Sequence, residues 1–236
     1  MKKLKFKISI AAVILLTVIG YAQDGNSNTI ALEVFYTKIN SEKNPQIIDA
    51  RGKEEFALNH INGAVNLNQQ FENYDEHIAK LDKSKPVFIY SIGAGRSVKL
   101  ADELLKNGFT EVYSLEGGIA AWIGGGKPFY TNSKSVLSIE AYKKIITENN
   151  SVLVDIGSRY CGLCKKVKPV LKTIRDEYGE KVKIVEIDLE DNPNVIADLK
   201  TVTVFPTLIL YQNGKMVFKK EGFADLKKEV DLVFAN

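Results

Sequence analysis

The chain has 236 residues, 45% hydrophobic and 26% charged, with 17 glycines and 6 prolines. At ~100–200 residues per domain this is room for two small domains, and the balance excludes a disordered, collagen-like or multi-span membrane chain. A net charge of +3, from 32 basic and 29 acidic residues, is too even for a nucleic-acid binder, and two cysteines are too few for a disulfide-dense scaffold.

Residues 1–7 carry four lysines and no acid, residues 8–20 are almost wholly apolar, and Gly20-Tyr21-Ala22 places small residues at the end of that run. This is the layout of a signal peptide over residues 1–22. The apolar run is thirteen residues, short of the ~20 a spanning helix needs, so no stable membrane span is expected after cleavage. An uncleaved anchor is the alternative. Removing the segment takes away four lysines and leaves 28 basic residues against 29 acidic ones. The basic balance then belongs to the leader and says nothing about an acidic partner. Export is expected, into the periplasm of a Gram-negative bacterium, where a cysteine pair tends to oxidise.

Residues 23–28 are small and polar, a tether. From 29 to 123, β-branched runs alternate with helical patterns. Ile47-Ile48, Val87-Phe88-Ile89-Tyr90 and Val112-Tyr113 read as strands, and Val98, Leu100, Ala101, Leu104 and Leu105 follow a helical period that Gly108 ends. Such alternation predicts a parallel sheet covered by helices. Gly124-Gly125-Gly126-Lys127-Pro128 marks a break, and residues 124–135 read as a linker. The pattern restarts from 136. Ala141, Ile145 and Ile146 mark a helix, Val152-Leu153-Val154-Asp155-Ile156 a buried strand, and a helix follows the cysteines to Tyr178. Another strand spans 182–187. A hairpin turns at Asn213-Gly214, and Leu226, Val230, Leu232 and Val233 predict a closing helix. The fold class is α/β in two domains.

The strand at 152–156 runs into Tyr160-Cys161-Gly162-Leu163-Cys164. A C-x-x-C opening a helix sets the first sulfur beside unpaired N–H groups and the positive end of the helix dipole, which favour thiolate. In such motifs the pKa falls from ~8.5 to as low as ~3.5–7.5. Cys161 is then the nucleophile and Cys164 the resolving thiol. Lys165, Lys166 and Lys168 add mild positive potential, or simply form a solvated face. A structural disulfide and half a zinc site are the other readings of the pair. Zinc needs four ligands, and His60 and His77 lie in the other half, so no metal or other cofactor is expected.

Residues 136–236 resemble a thioredoxin-fold domain, a mixed sheet with flanking helices. The resemblance rests on Val154-Asp155-Ile156, Cys161-Gly162-Leu163-Cys164-Lys165, Pro169, Ile187-Asp188, Asp191-Asn192-Pro193, Phe205-Pro206-Thr207, Asn213-Gly214-Lys215 and Gly222. It implies that Asp155 is the buried carboxylate that takes a proton from Cys164, although a satisfied polar core residue is the plainer alternative. It implies that Pro206 is the cis-proline facing the disulfide, beside backbone that pairs with an extended substrate. Tyr160, Gly162, Leu163 and Phe205 are the expected substrate contacts. Tyr160 stands where the family usually has Trp, Leu163 where thioredoxin has Pro, and Glu186 where it has Lys, so the direction of electron flow stays open.

Residues 29–123 resemble a rhodanese domain. The matching motifs are Ile47-Ile48-Asp49-Ala50-Arg51, Glu54-Glu55-Phe56, His60-Ile61-Asn62-Gly63-Ala64 and Leu115-Glu116-Gly117-Gly118-Ile119-Ala120-Ala121-Trp122. Ser91-Ile92-Gly93-Ala94-Gly95-Arg96 occupies the active-site loop, where the family begins with the cysteine that carries a persulfide. A serine hydroxyl cannot hold transferable sulfur, so sulfurtransferase activity is not expected there. The loop's N–H groups could cradle an anion, and Arg96 could brace it. The domain then serves for docking or ligand binding.

The expectation is an exported thiol–disulfide oxidoreductase acting on protein thiols or disulfides, with a separate electron donor or acceptor. The alternatives are a partner-binding protein with a structural Cys161–Cys164 bridge and a sulfur-handling protein using Cys161. Trp122 lies in the first half, so its fluorescence should report poorly on the cysteines unless the halves pack together.

Overall fold

The computed structural model describes residues 28–235. The leader and most of the tether lie outside them. Among the described residues no helix is long and apolar enough to cross a membrane.

The first domain runs β1 (Asn28–Ile30), α1 (Leu32–Ser41), β2 (Gln46–Asp49), α2 (Lys53–Leu58), β3 (Asn59–Ile61), β4 (Val65–Asn66), α3 (Tyr74–Ala79), β5 (Val87–Tyr90), α4 (Gly95–Lys106), β6 (Val112–Leu115), α5 (Gly118–Gly124) and β7 (Phe129–Thr131). Five strands form a parallel sheet in the order β1-β6-β5-β2-β4. The central β5 is buried at all four positions, which is why it reads as an unbroken apolar run. Asp49 and Arg51, both fully buried, pair at the carboxyl end of β2 at 2.7 Å, and the guanidinium also donates to Asn59 Oδ1 at 3.2 Å. This pins the start of β3 to the sheet.

The second domain runs α6 (Ile139–Glu148), β8 (Ser151–Gly157), α7 (Gly162–Tyr178), β9 (Lys183–Asp188), α8 (Pro193–Leu199), β10 (Thr207–Gln212), β11 (Lys215–Glu221) and α9 (Leu226–Phe234). Its sheet order is β11-β10-β8-β9, parallel between β8 and β9 and antiparallel elsewhere. All seven residues of β8 are buried. On α7, Cys164, Val167, Leu171 and Ile174 form the buried stripe at helical spacing.

The connection over 124–135 is more than a tether. Gly124 closes α5, and β7 pairs antiparallel with β3 through Asn59, His60 and Ile61. Tyr130 stacks on His60 at 4.6 Å, and His60 stacks on Phe56 at 4.0 Å. These aromatic contacts hold the chain to the first domain before it crosses over.

The two domains share one core. Every residue of α5 is buried, as expected of a helix apolar all round, because it lies between them. Ile119, Ala120, Trp122 and Ile123 join the same cluster as Val195, Ile196, Val202, Phe205 and both cysteines. Trp122 is therefore in the core that the cysteines border. A Cβ at Gly124 would lie 2.0 Å from Val202 O, so only glycine permits this approach. Unfolding followed by Trp122 fluorescence and by pulsed labelling of Cys161 and Cys164 is expected to coincide in the wild type. Gly124→Leu should cost about 1–3 kcal/mol or more by overpacking and separate the two transitions. Coincident transitions in the variant would show that the halves do not depend on this contact.

Candidate functional site

The site lies where β8 ends and α7 begins. Ser158 O accepts the Cys161 N–H at 3.0 Å and turns the chain into the helix. Cys161 is the N-cap of α7, and its Sγ accepts the Cys164 N–H at 3.2 Å. Both cysteines are free thiols, 6% and 5% exposed.

The hydrogen bond from the Cys164 thiol brings Cys161 down to about 7, helped by the N–H groups of Cys164 and Leu163 and opposed by burial and by Asp155. The same bond, with burial and the charges of Cys161 and Asp155, drives Cys164 far above an ordinary thiol. The pair is therefore split into an acidic outer sulfur and a protonated inner one, as a nucleophile and a resolving thiol require. The helix N–H groups contribute, but the partner thiol contributes more than the motif alone suggests.

Asp155 lies in β8 and is 4% exposed. Burial pushes its carboxyl up to about 6, Lys168 pulls it down, and Glu186 and Asp188 push it up again. Its Oδ1 has no hydrogen-bond partner among the described residues, unlike the satisfied core group of the plainer reading. Lys168 Nζ stands 3.8 Å from Oδ2 and also pairs with Glu186, the residue opposite Asp155 in the β8–β9 register. Of the three lysines after the motif, Lys168 thus does more than solvate the helix. It lies four residues after Cys164, on the same helix face, and that spacing was the available signal.

The Phe205–Pro206 bond is cis. Phe205 is 5% exposed and its side chain packs in the shared core, so any contact it makes with a substrate is through its backbone. Its backbone N–H and C=O have no partner among the described residues, which leaves them free to pair with an added strand. Tyr160 and Leu163 are 37% and 53% exposed, and Gly162 is exposed beside them. Two residues went unnoticed in the sequence. A Cβ at Gly157 would lie 2.9 Å from Cys164 Sγ, so glycine there makes room for the inner thiol. Glu190, 2% exposed, accepts from Ser158 Oγ at 2.7 Å and from the Arg159 N–H at 3.3 Å, bracing the turn before Cys161. Burial and its hydrogen bond with Asp188 push its carboxyl up to about 8.

The thioredoxin family matches residues 133–233, and the rhodanese-like domain family matches residues 32–124. The thioredoxin of Mycobacterium tuberculosis is 34% identical over 95 residues, 39% of this chain and 81% of that protein. The thioredoxin of Acidithiobacillus ferridurans is 32% identical over 78 residues, 33% of this chain and 71% of that protein. The chain belongs to the thioredoxin family. The bifunctional thioredoxin reductase/thioredoxin of Mycobacterium leprae is 32% identical over 98 residues, 40% of this chain, and the match spans only 21% of that protein. These thioredoxin relatives support thiol–disulfide oxidoreductase activity.

The loop of the rhodanese-like domain closes on itself beside the thioredoxin domain. Ser91, 1% exposed, donates its hydroxyl to Gly93 O at 2.7 Å, and Ser91 O accepts the Ile119 N–H at 2.8 Å. Arg96 grips both oxygens of Glu55 at 2.7 and 2.9 Å, so it braces the loop. Gly93 and Gly95 have open space where a side chain would stand, Ala94 precedes α4, and Ile92 packs against the shared core.

Proposed function

We propose that the chain is an exported thiol–disulfide oxidoreductase for protein substrates, with a rhodanese-like domain that docks the client and transfers no sulfur. One observation carries this reading: Cys161 caps α7 as the acidic thiol, with protonated Cys164 behind it and the buried Asp155 carboxyl, its Oδ1 without a hydrogen-bond partner, acting on both.

The Cys161 thiolate attacks a substrate disulfide, forms a mixed disulfide and expels one substrate thiolate. Asp155 takes the proton of Cys164, whose sulfur attacks Cys161 Sγ, closes the ring and expels the second thiolate. Two electrons pass from the dithiol to the substrate. The reverse sequence oxidises a dithiol, and a separate donor or acceptor resets the pair. Export rests on the charged start, apolar run and small-residue exit of residues 1–22, and the envelope form is expected to begin at Gln23.

The protein is expected to reduce insulin disulfides in the presence of dithiothreitol, and its alkylation by iodoacetamide should rise through pH ~7. It should transfer no sulfur from thiosulfate to cyanide. Insulin turnover at background, with cysteines that resist alkylation after reduction, would favour a static bridge instead.

A further inference from the structure

The loop before Pro206 does not stand free. A Cβ at Gly117, where α5 is capped, would lie 2.2 Å from Thr203 O, and one at Gly124 would lie 2.0 Å from Val202 O. The first domain therefore comes into backbone contact with Val202 and Thr203, two residues before the unpaired backbone of Phe205. Beside this contact is a cleft of about 520 Å3. Its lining includes apolar Leu32, Ala121 and Val204 and the carboxylates of Glu33, Glu116 and Glu221.

No cation lines this cleft. Glu33 pairs with Lys127 at 2.8 Å, and Glu221 with Lys219 at 3.3 Å, both lysines lying outside the lining. Glu116 is exposed and has no ion pair among the described residues.

We propose that this interdomain cleft is a subsite of the exchange reaction, and that it takes an extended polypeptide segment with an apolar side chain flanked by lysine or arginine. The proposal rests on the oxidoreductase reading and names its substrate class. A strand paired to Phe205 advances ~3.3 Å per residue, so residues about two to four from the substrate cysteine reach Val204 and Thr203. An apolar side chain then meets Leu32 and Ala121, and a neighbouring cation meets Glu116 and Glu221. The rhodanese-like domain, whose Ser91 carries no sulfur, contributes the second wall.

The test uses the full-length protein and three oxidised probes. Two are peptide disulfides identical except for Leu-Lys-Lys or Leu-Glu-Glu beside the cysteine, and the third is uncharged 2-hydroxyethyl disulfide. At low salt kcat/KM should favour the cationic peptide by about tenfold or more, and the ratio should shrink at high salt. Glu116→Lys should bring the ratio close to one. Equal turnover of both peptides, a preference for the acidic one, or a ratio unchanged in Glu116→Lys would overturn the subsite while hydroxyethyl disulfide turnover leaves the oxidoreductase reading standing. No turnover of any probe would overturn both.

Discussion

Cys161→Ser is expected to abolish exchange, whereas Cys164→Ser leaves the first attack intact and stalls the protein as a mixed disulfide. The two sulfurs differ in what their surroundings do to the charged form. At about 7, Cys161 is half thiolate near neutral pH, and Cys164 is held protonated. A serine hydroxyl at 161 ionises far above any working pH, so turnover should fall by roughly 10⁴–10⁶, the scale of losing a covalent nucleophile. Cys164→Ser removes only the resolving sulfur, and clients should accumulate on Cys161 as species that dithiothreitol releases. A third variant tests the cause of the acidity. Cys164→Ala deletes the thiol that donates to Cys161 Sγ, the largest contribution to its low pKa. The thiolate absorbance of Cys161 should then titrate at higher pH than in the wild type. An unchanged midpoint would assign the acidity to the N–H groups at the start of α7.

What the sequence revealed about this site follows from how local each requirement is. The C-x-x-C pair, the strand entering it and Pro206 before β10 are legible because each depends on chain neighbours. The helix from Gly162 to Tyr178, closed by Gly179 at φ 54°, follows the same logic. Gly157 is not legible, because what excludes a side chain there is Cys164 Sγ, seven residues on and brought back by the turn into α7. Lys168 reads as a solvated lysine until β9 places Glu186 beside Asp155. Phe205 reads as a substrate contact because it precedes the proline, but that its side chain joins the core common to both domains, leaving its backbone unpaired, depends on residues far along the chain. The docking of the domains has one trace in the sequence. The run Gly118-Ile119-Ala120-Ala121-Trp122-Ile123-Gly124 has no polar face, which a helix tolerates only when covered on all sides. β7 was lost in the glycine-rich linker because its partner, β3, lies some seventy residues earlier.

Asp155→Asn should make the protein more stable and less active, with both effects governed by pH. Burial raises this carboxyl from 3.8 to about 6, so the fold disfavours its charged form. The stability that the protonated acid confers is fully present below pH ~3.8, falls as pH rises through ~6, and is gone above it. A shift of about two pH units corresponds to roughly 3 kcal/mol at neutral pH. Asparagine keeps the shape without the charge, so denaturant melts at pH 7 should show a gain of about 2–3 kcal/mol that disappears near pH 3.5. Catalysis should move the other way. Cys164 is held protonated and needs an acceptor, and Asp155, with a free Oδ1 and a pKa close to neutrality, is the group beneath the pair able to serve. Losing a general base of this kind should slow release of the mixed disulfide by about 10²-fold at pH 7 while leaving alkylation of Cys161 nearly unchanged. The penalty should narrow as pH rises and hydroxide takes over the deprotonation. A variant less stable at pH 7 would mean that the contact with Lys168 outweighs the burial of the charge, and unimpaired resolution would remove Asp155 from the proton's path.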